Sequence, residues 1–240
     1  MKKFIFDIDG TLTPSRKQID PSFEAFMIKF CCKHDVYLVT GSNREKTIDQ
    51  IGLDVYYRAH RVYNCAGNDV YEKDKNVYRN PWKLPDDAKE FLLKELKQSL
   101  FSVRTGTHIE DRPGCVNFSI LGRGANWTER EVYKEWDRDN HERIEIAKRF
   151  NKEFPDLYAF VGGETGVDIS LRGCDKGQIL RDFDSKDEIH FFGDRMDEDG
   201  NDYPLAEALK EMDGSTHYVT GWEDTRTRLV EFSTSGEFFK

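Results

Sequence analysis

Short apolar runs that stop abruptly at acidic or hydroxyl residues occur near both ends of this chain. Residues 3–9 have the pattern of a short buried strand that ends at Asp7 and Asp9. Segments 35–42 and 188–194 repeat the pattern, and each passes from apolar to polar side chains. Strands of this kind are typical of a parallel sheet, in which ligands bind beyond the carboxyl ends of the strands.

Amphipathic segments separate these strands. Apolar residues recur at helical spacing from Pro21 onward, and residues 43–51 also suit a helix. A further strand is predicted over residues 217–220. The order strand, helix, strand, helix predicts an α/β fold with a Rossmann-like parallel sheet and right-handed crossovers.

The middle of the chain follows a different pattern. A helix is predicted over residues 85–99, and residues 126–154 are highly charged with apolar side chains at helical intervals. Two pairs could cap the start of that second helix: Asn126 with Glu129, or Thr128 with Glu131. Strands are predicted around 101–110, 115–121, 157–162 and 166–171. We therefore expect residues 82–171 to form an α+β insert, and residues 1–81 and 172–240 to form the core domain that it interrupts.

Charge and composition exclude several classes of protein. The chain has 240 residues and a net charge of -9, because 45 acidic residues outnumber 36 basic ones, so no general attraction for nucleic acid is expected. No stretch approaches the roughly 18 uninterrupted apolar residues of a membrane-spanning helix, so no membrane insertion is expected. The odd number of cysteines without zinc-site spacing indicates reduced thiols, and early acids interrupt any signal-peptide core. A cytoplasmic protein is predicted.

Polar residues are predicted to converge at one edge of the core sheet. They are Asp7 and Asp9, Thr40 and Ser42, Lys176, and Asp194 with Asp202. Each feature alone is more typical of a solvated turn or a surface side chain. Together, clustered carboxylates require a hard divalent cation such as magnesium, and a hydroxyl and a lysine supply donors to a phosphoryl group. The set predicts a phosphoryl-transfer site built on an aspartate.

These residues resemble the motifs of the haloacid dehalogenase superfamily of phosphotransferases. The matching segments are residues 7–13, residues 39–42, Lys176, residues 193–194 and residues 201–202. The resemblance implies that Asp7 is the nucleophile and Asp9 the general acid and base. It further implies that Ser42 and Lys176 contact phosphate, and that Asp7, Asp9 and Asp194 hold Mg²⁺, with Asp9 binding through its backbone carbonyl. The insert resembles the larger α/β cap of that superfamily.

Flanking segments narrow the resemblance to the eukaryotic-type phosphomannomutase family. They are residues 9–16, 112–117, 120–123, 129–130, 162–163 with Asp168, and 222–226. Arg112, Arg123 and Arg130 are separated by 11 and then 7 residues, as in that family. Guanidinium groups bind phosphate bidentately, although Arg130 inside a charged helix could equally be an ordinary surface side chain. The family implies substrate contacts at Arg16, Arg112, Arg123, Arg130 and Asp168.

Two local features of the sequence, a glycine near the cap aspartate and an acidic loop, lead to separate predictions. The family has a serine two residues before the cap aspartate, whereas this chain has Gly166, so a hydroxyl contact to the substrate is lost. Asp197, Glu198 and Asp199 enrich the last acidic loop, and we expect a solvated turn rather than extra metal ligands.

The resemblance implies a Mg²⁺-dependent enzyme that interconverts hexose 6-phosphate and hexose 1-phosphate, with mannose or glucose as the sugar. The reaction would pass through a phospho-aspartate, with hexose 1,6-bisphosphate as activator. It also implies a homodimer formed through the cap. Two alternatives remain at this point: a sugar-phosphate phosphatase of the same superfamily, and a non-catalytic phosphosugar-binding protein. A binding protein has no need of the proton-handling Asp9, which disfavours the second alternative.

Overall fold

The computed structural model describes residues 2–198 and 200–234, which divide into two compact units. One unit, here called the core unit, comprises Met1–Arg79 and Gly173–Lys240, and the other, the inserted unit, comprises Asn80–Arg172. These bounds lie close to the junctions at 81 and 172 expected from the sequence. Met1, Asp199 and residues 235–240 lie outside the described residues.

The described part of the chain contains both strands and helices. The strands are β1 (Lys2–Phe6), β2 (Asp35–Val39), β3 (Arg61–Asn64), β4 (Asp69–Glu72), β5 (Lys75–Arg79), β6 (Ile109–Arg112), β7 (Cys115–Phe118), β8 (Leu157–Gly162), β9 (Gly166–Leu171), β10 (Glu188–Gly193) and β11 (Ser215–Tyr218). The helices are α1 (Pro21–Cys31), α2 (Arg44–Arg58), α3 (Asp86–Gln98), α4 (Trp127–Asn140), α5 (Glu142–Glu153), α6 (Tyr203–Lys210) and α7 (Trp222–Thr234), with 3-10 segments at Cys65–Gly67 and Lys176–Asp182. Within the described part of the chain, no helix combines the length and apolar character needed to cross a membrane.

The core unit is built on a seven-stranded sheet with the order β11-β10-β1-β2-β3-β4-β5. The five strands from β11 to β3 are parallel, and β4 and β5 add an antiparallel hairpin at one edge. Phe4 and Phe6 of β1 pack into one apolar cluster and Ile5 packs into another. Because both faces of the strand are covered, its residues are apolar throughout rather than alternating. The predicted α/β fold is confirmed.

Helices α1 and α2 begin at the caps that their sequences provide. Asp20 accepts hydrogen bonds from the backbone N–H groups of Ser22 and Phe23, and Pro21 occupies the first turn of α1. Asn43 caps α2 in the same way, and the first helical part of α2 ends before Gly52, close to the predicted residue 51. Gly52 adopts a non-helical conformation with a φ of 76°, which glycine reaches without strain, and a second helical part follows this kink.

The inserted unit has an antiparallel sheet of its own, with the order β6-β7-β9-β8. Its apolar cluster draws residues from helices and strands alike, including Leu92, Phe118, Tyr133, Phe150 and Ile169, all of them fully buried. The unit therefore has its own hydrophobic core.

The charged stretch 126–154 forms two helices rather than one. Asn126 and Glu129 make the capping box at the start of α4, so the first of the two caps considered above is present. His141 then takes a left-handed conformation with a φ of 55° and separates α4 from α5. A non-glycine residue rarely adopts that conformation, which is why the periodicity of the sequence does not reveal the break.

The strand predicted around 101–110 is wrong over most of its length, because β6 begins only at Ile109. The Arg104 guanidinium donates to the backbone carbonyls of Phe101, Val103 and Leu96. Within the predicted strand, the carbonyls of Phe101 and Val103 therefore accept hydrogen bonds from a side chain instead of from a neighbouring strand. The predicted strand 217–220 is displaced by two residues, to Ser215–Tyr218.

Candidate active site

A buried lysine joins two aspartates at the carboxyl edge of the core sheet. Asp7 directly follows β1, and its backbone N–H donates to the Phe192 carbonyl of β10 at 2.9 Å. Lys176 Nζ lies 2.5 Å from Asp7 Oδ1 and 2.7 Å from Asp202 Oδ1. Lys176 is 1% exposed and Asp202 is 0% exposed, so the charges are shielded from water. Charges buried in this way are stable only when they are paired.

Asp194 completes a cluster of three carboxylates. One oxygen from each of Asp7, Asp194 and Asp202 lies within 4.8 Å of the others. Gly10 permits this approach, since a Cβ atom added at Gly10 would lie 2.1 Å from Asp194 Oδ2. Gly10 also has a φ of 79°. The turn after β1 therefore brings its backbone directly against the carboxylate that follows β10.

The electrostatics of the cluster favour a further positive charge. Burial raises the pKa of Asp7 well above its usual range, and Asp202 and Asp194 add to the effect while Lys176 opposes it. Burial, reinforced by Asp202, raises the pKa of Asp194 to about 6. Burial alone would lower the pKa of Lys176, but Asp202 and Asp7 together raise it. A single lysine therefore does not balance the three carboxylates, and a cation would stabilise their ionised forms.

The carboxylate oxygens of the cluster are suitable ligands for a magnesium ion. Both oxygens of Asp202 accept hydrogen bonds, one from Lys176 Nζ and the other from the backbone N–H of Arg195 at 3.1 Å. Asp202 is thus engaged in holding Lys176, and Asp7 and Asp194 are the carboxylates better placed to serve as ligands. Magnesium prefers oxygen ligands of this kind.

Asp9 is held by different donors from those that hold Asp7. Its Oδ1 accepts from the backbone N–H of Arg16 at 2.7 Å and from Gln50 Nε2 at 3.0 Å. Arg16 has a φ of 60° in the turn that brings its N–H to Asp9. The two aspartates, although two residues apart, have separate environments.

The turn after β2 fixes Ser42. Its backbone N–H donates to Thr40 Oγ1 at 3.1 Å, and its carbonyl accepts from the Cys65 N–H at 2.9 Å. Ser42 is half-buried. These bonds anchor the polar end of β2 to the neighbouring segment after β3.

Two of the predicted arginines of the inserted unit share one carboxylate. Glu110 Oε2 lies 2.7 Å from Arg112 Nη2 and 2.9 Å from Arg123 Nε. Burial lowers the pKa of Arg123, and the nearby Arg112 and Arg130 add to that effect against the opposing influence of Glu110. The three arginines therefore form one cationic group, here called the arginine group.

The third arginine has its own partner. Arg130 Nη2 and Nε lie 2.8 Å and 3.3 Å from Glu164 Oε2. Arg130 is 18% exposed, which is low for a solvated surface arginine. The reading of Arg130 as an ordinary surface side chain is thereby disfavoured.

Asp168 lies beside the same group. Its Oδ1 is 3.8 Å from Arg112 Nη1 and accepts from Asn117 Nδ2 at 2.6 Å. A Cβ atom added at Gly166 would lie 2.5 Å from that same Nδ2 atom. The space next to Gly166 is thus occupied by the Asn117 amide, which binds Asp168.

Several residues of the two sites escape prediction from the sequence. They are Gln50, Glu110, Asn117 and Glu164. Asp202 was predicted to lie at this edge of the sheet, and the structure places it there as the second partner of Lys176. The four residues that escape prediction act as partners of predicted residues, and their spacing alone carries no signal.

A profile of the family described as "Eukaryotic phosphomannomutase" matches residues 23–234 of the chain. The chain belongs to this family. The phosphomannomutase of Spinacia oleracea is 32% identical over 235 residues, which cover 95% of this chain and 94% of the relative. That of Saccharomyces cerevisiae is 31% identical over 239 residues, covering 95% and 92%. The suggested family resemblance is confirmed.

Solved structures of more distant proteins resemble the fold of this chain. The IMP-bound IMP-nucleotidase of Plasmodium falciparum matches with a TM-score of 0.64 at 17% identity, over 98% of this chain and 68% of that one. A trehalose-6-phosphate phosphatase related protein matches with a TM-score of 0.60 at 20% identity, over the full length of both chains. A haloacid dehalogenase-like hydrolase from Bacteroides thetaiotaomicron gives 0.62 at 13% identity, over 96% and 98%. This chain therefore shares its fold with these three proteins, and its acidic cluster offers oxygen ligands of the kind that magnesium prefers.

Proposed function

We propose that this chain is a phosphomannomutase that interconverts hexose 6-phosphate and hexose 1-phosphate, with mannose as the sugar and glucose as a second substrate. The observation that carries the proposal is the pair Asp7 and Asp9. Asp7 is buried and held by Lys176, whereas Asp9 is held by Gln50 and a turn. Two carboxyl groups in different environments suit two different chemical roles.

Asp7 is the proposed nucleophile and Asp9 the proton carrier. In the first transfer, a carboxylate oxygen of phosphorylated Asp7 gives up its phosphoryl group to a sugar hydroxyl, whose proton passes to Asp9. The new P–O bond makes a hexose bisphosphate and restores the Asp7 carboxylate. In the second transfer, Asp7 attacks the other phosphate, the P–O bond to the sugar breaks, and Asp9 returns the proton to the departing oxygen.

The remaining predicted residues bind the phosphate groups. Ser42 and Lys176 donate to the transferring phosphoryl group. Asp7, Asp194 and the backbone carbonyl of Asp9 would hold Mg²⁺, which would supply positive charge beside that group. In the inserted unit, the arginine group binds the other phosphate and Asp168 binds sugar hydroxyls. Arg16 is a further proposed substrate contact. Hexose 1,6-bisphosphate is the proposed activator, because it supplies the phosphoryl group that Asp7 must carry at the start.

The inserted unit is the proposed cap. Residues 82–171 close over a core formed by residues 1–81 and 172–240, with residues 80–82 and 172–174 as hinges. Closure excludes water while Asp7 is phosphorylated, which protects the intermediate from hydrolysis. Small-angle scattering tests closure: a saturating hexose bisphosphate should make the particle more compact, and identical profiles with and without it would contradict the proposal.

Two further proposals concern the state of the protein. A homodimer formed through the cap is supported by the apolar side chains that the inserted unit exposes, with Trp127 at 75% and Leu100 at 88%. Light scattering should then give twice the 28.0 kDa mass of one chain. A location in the cytoplasm is supported by the free state of all five cysteines.

One measurement separates a mutase from a phosphatase. Hexose 1-phosphate is supplied with bisphosphate activator, and hexose 6-phosphate and free phosphate are both quantified. We expect hexose 6-phosphate to be the main product and Asp7→Asn to abolish both products. Arg123→Ala should depress isomerisation much more than hydrolysis, because the intermediate escapes when its second phosphate is not held. Release of mainly free phosphate by the unmodified protein would establish a sugar-phosphate phosphatase instead.

A further inference from the structure

Glu164 forms an ion pair with Arg130, an arginine that the proposed function assigns to substrate phosphate. It lies in the turn between β8 and β9, and its Oε2 contacts both Nη2 and Nε of Arg130. Its other oxygen lies 3.9 Å from Lys134 Nζ, one helical turn further along α4. Glu164 thus stands between two cations of one helix, with its own side chain 42% exposed.

Every member of the arginine group is paired with a carboxylate in this structure. Glu110 contacts Arg112 and Arg123 together, and Glu164 contacts Arg130. Lys134 differs, because it has a closer acidic partner in Glu131 at 2.9 Å. An incoming phosphate must therefore compete with a carboxylate for the same guanidinium donors.

We propose that Glu164 is an internal counter-anion that competes with the substrate phosphate for Arg130 and so determines how strongly the site selects a dianion. This inference rests on the proposed role of the arginine group. Glu164 comes from a turn and remains partly in water, so it can leave Arg130 at small cost. A carboxylate brings one negative charge, whereas a phosphate monoester brings nearly two at neutral pH. Dianionic phosphate displaces Glu164, and monoanionic sugar acids do not.

The same contacts would arise if the pair served only the stability of the inserted unit. In that case, replacing Glu164 would change the unfolding free energy and leave the affinity for phosphate unaltered. Binding measured on folded protein separates the two roles.

The test compares Glu164→Gln with Glu131→Gln in the full-length protein. Each substitution removes one negative charge beside α4, but only Glu164 contacts Arg130. Titration calorimetry measures the binding of inorganic phosphate with chelator present. A salt concentration of about 0.15 M screens charges that make no direct contact with the bound phosphate. We expect Glu164→Gln to bind phosphate roughly 3- to 10-fold more tightly, and Glu131→Gln to change affinity less than about 2-fold. Glucuronate should gain more from Glu164→Gln than phosphate does.

A second arm uses Arg130→Ala as the background. In that background, Glu164→Gln should no longer improve phosphate binding, because Arg130, the cation for which Glu164 and phosphate compete, is absent. Unchanged or weaker binding by folded Glu164→Gln, or an equal gain from Glu131→Gln, overturns the inference. If Arg130→Ala alone leaves phosphate affinity unaltered, the inference and the assigned anion site both fail. If the coupling is present but the unmodified protein releases only free phosphate, the mutase proposal fails and the inference stands.

Discussion

Lys176 and Asp202 form an ion pair that is almost completely buried, with Nζ 2.7 Å from Oδ1. The second carboxylate on Lys176 is Asp7, so one ammonium group holds the candidate nucleophile and a residue from the loop after β10. A buried cation between two anions is costly to remove, since both anions would lose the ammonium group that balances their charge.

Replacing this lysine should therefore destabilise the fold. We expect Lys176→Met to lower the free energy of unfolding by about 3–5 kcal/mol, the cost of leaving buried charge uncompensated. Urea denaturation followed by circular dichroism measures the change. Lys33→Met is the control, because Lys33 is exposed and should change stability by less than about 0.5 kcal/mol. Equal stability of the two variants would contradict the structural role of Lys176.

Removing magnesium should abolish turnover, because the three carboxylates would repel a substrate phosphate. We expect excess chelator to stop the reaction and added Mg²⁺ to restore it. Asp194→Asn should raise the Mg²⁺ concentration needed for half-maximal activity by at least about 10-fold. Asp197→Asn removes the same charge from an exposed position three residues away and should have little effect. Undiminished turnover in chelator would rule out the metal.

The left-handed residue between α4 and α5 gives a prediction of stability. His141 is exposed and has a φ of 55°, which glycine adopts without the steric cost that a Cβ atom brings. His141→Gly should therefore be more stable than His141→Ala by about 1 kcal/mol. Chemical denaturation of the two variants measures the difference, and a more stable alanine variant would contradict the assigned conformation.

Acidification should destabilise the core unit through His217. Burial, with His190 and Arg228 nearby, lowers the pKa of His217 to about 4, below the ordinary value of about 6.5 in the unfolded chain. As the pH falls from about 6.5 to 4, the unfolded state binds a proton that the folded state refuses, so stability is present above this window and is lost within it.

The measurement is the free energy of unfolding at pH 7.5 and pH 5. His217→Gln should lose less stability between these two pH values than the unmodified protein, because glutamine does not bind a proton in this range. His60→Gln, at an exposed position, is the control and should follow the unmodified protein. If all three proteins lose the same unfolding free energy between pH 7.5 and pH 5, groups other than His217 cause the acid sensitivity.

Local sequence signals predicted most of the architecture. The apolar strands that stop at acids, the cap at Asn126 and the helical periodicity of the flanking segments depend on residues close in sequence, and the structure contains them. The break at His141 was not predicted, because an αL conformation leaves no mark on hydrophobic periodicity. The missing strand near Phe101 reflects Arg104, whose side chain satisfies carbonyls that a strand would otherwise pair.

The residues of the candidate site also divide into those that the sequence predicts and those that it does not. Residues that end strands could be placed from sequence, since strand ends of a parallel sheet share an edge. Most of their partners could not, because those pairings join distant parts of the chain: Gln50 lies 41 residues from Asp9, and Asn117 lies 51 residues from Asp168. Such contacts depend on the tertiary fold and not on any local pattern.

The pairing of β1 with β10 has a consequence for synthesis on the ribosome. Lys2 pairs with Glu188, so the strand that leads to Asp7 emerges long before its neighbour on one side has been made. At roughly 5–20 residues per second, that edge of β1 stays unpaired for about 10 to 40 s. The inserted unit, whose sheet is continuous in sequence, can finish folding during this interval. A nascent chain stalled before β10 would present an open, apolar sheet edge, which makes truncated products of this protein prone to aggregate and natural clients for chaperones.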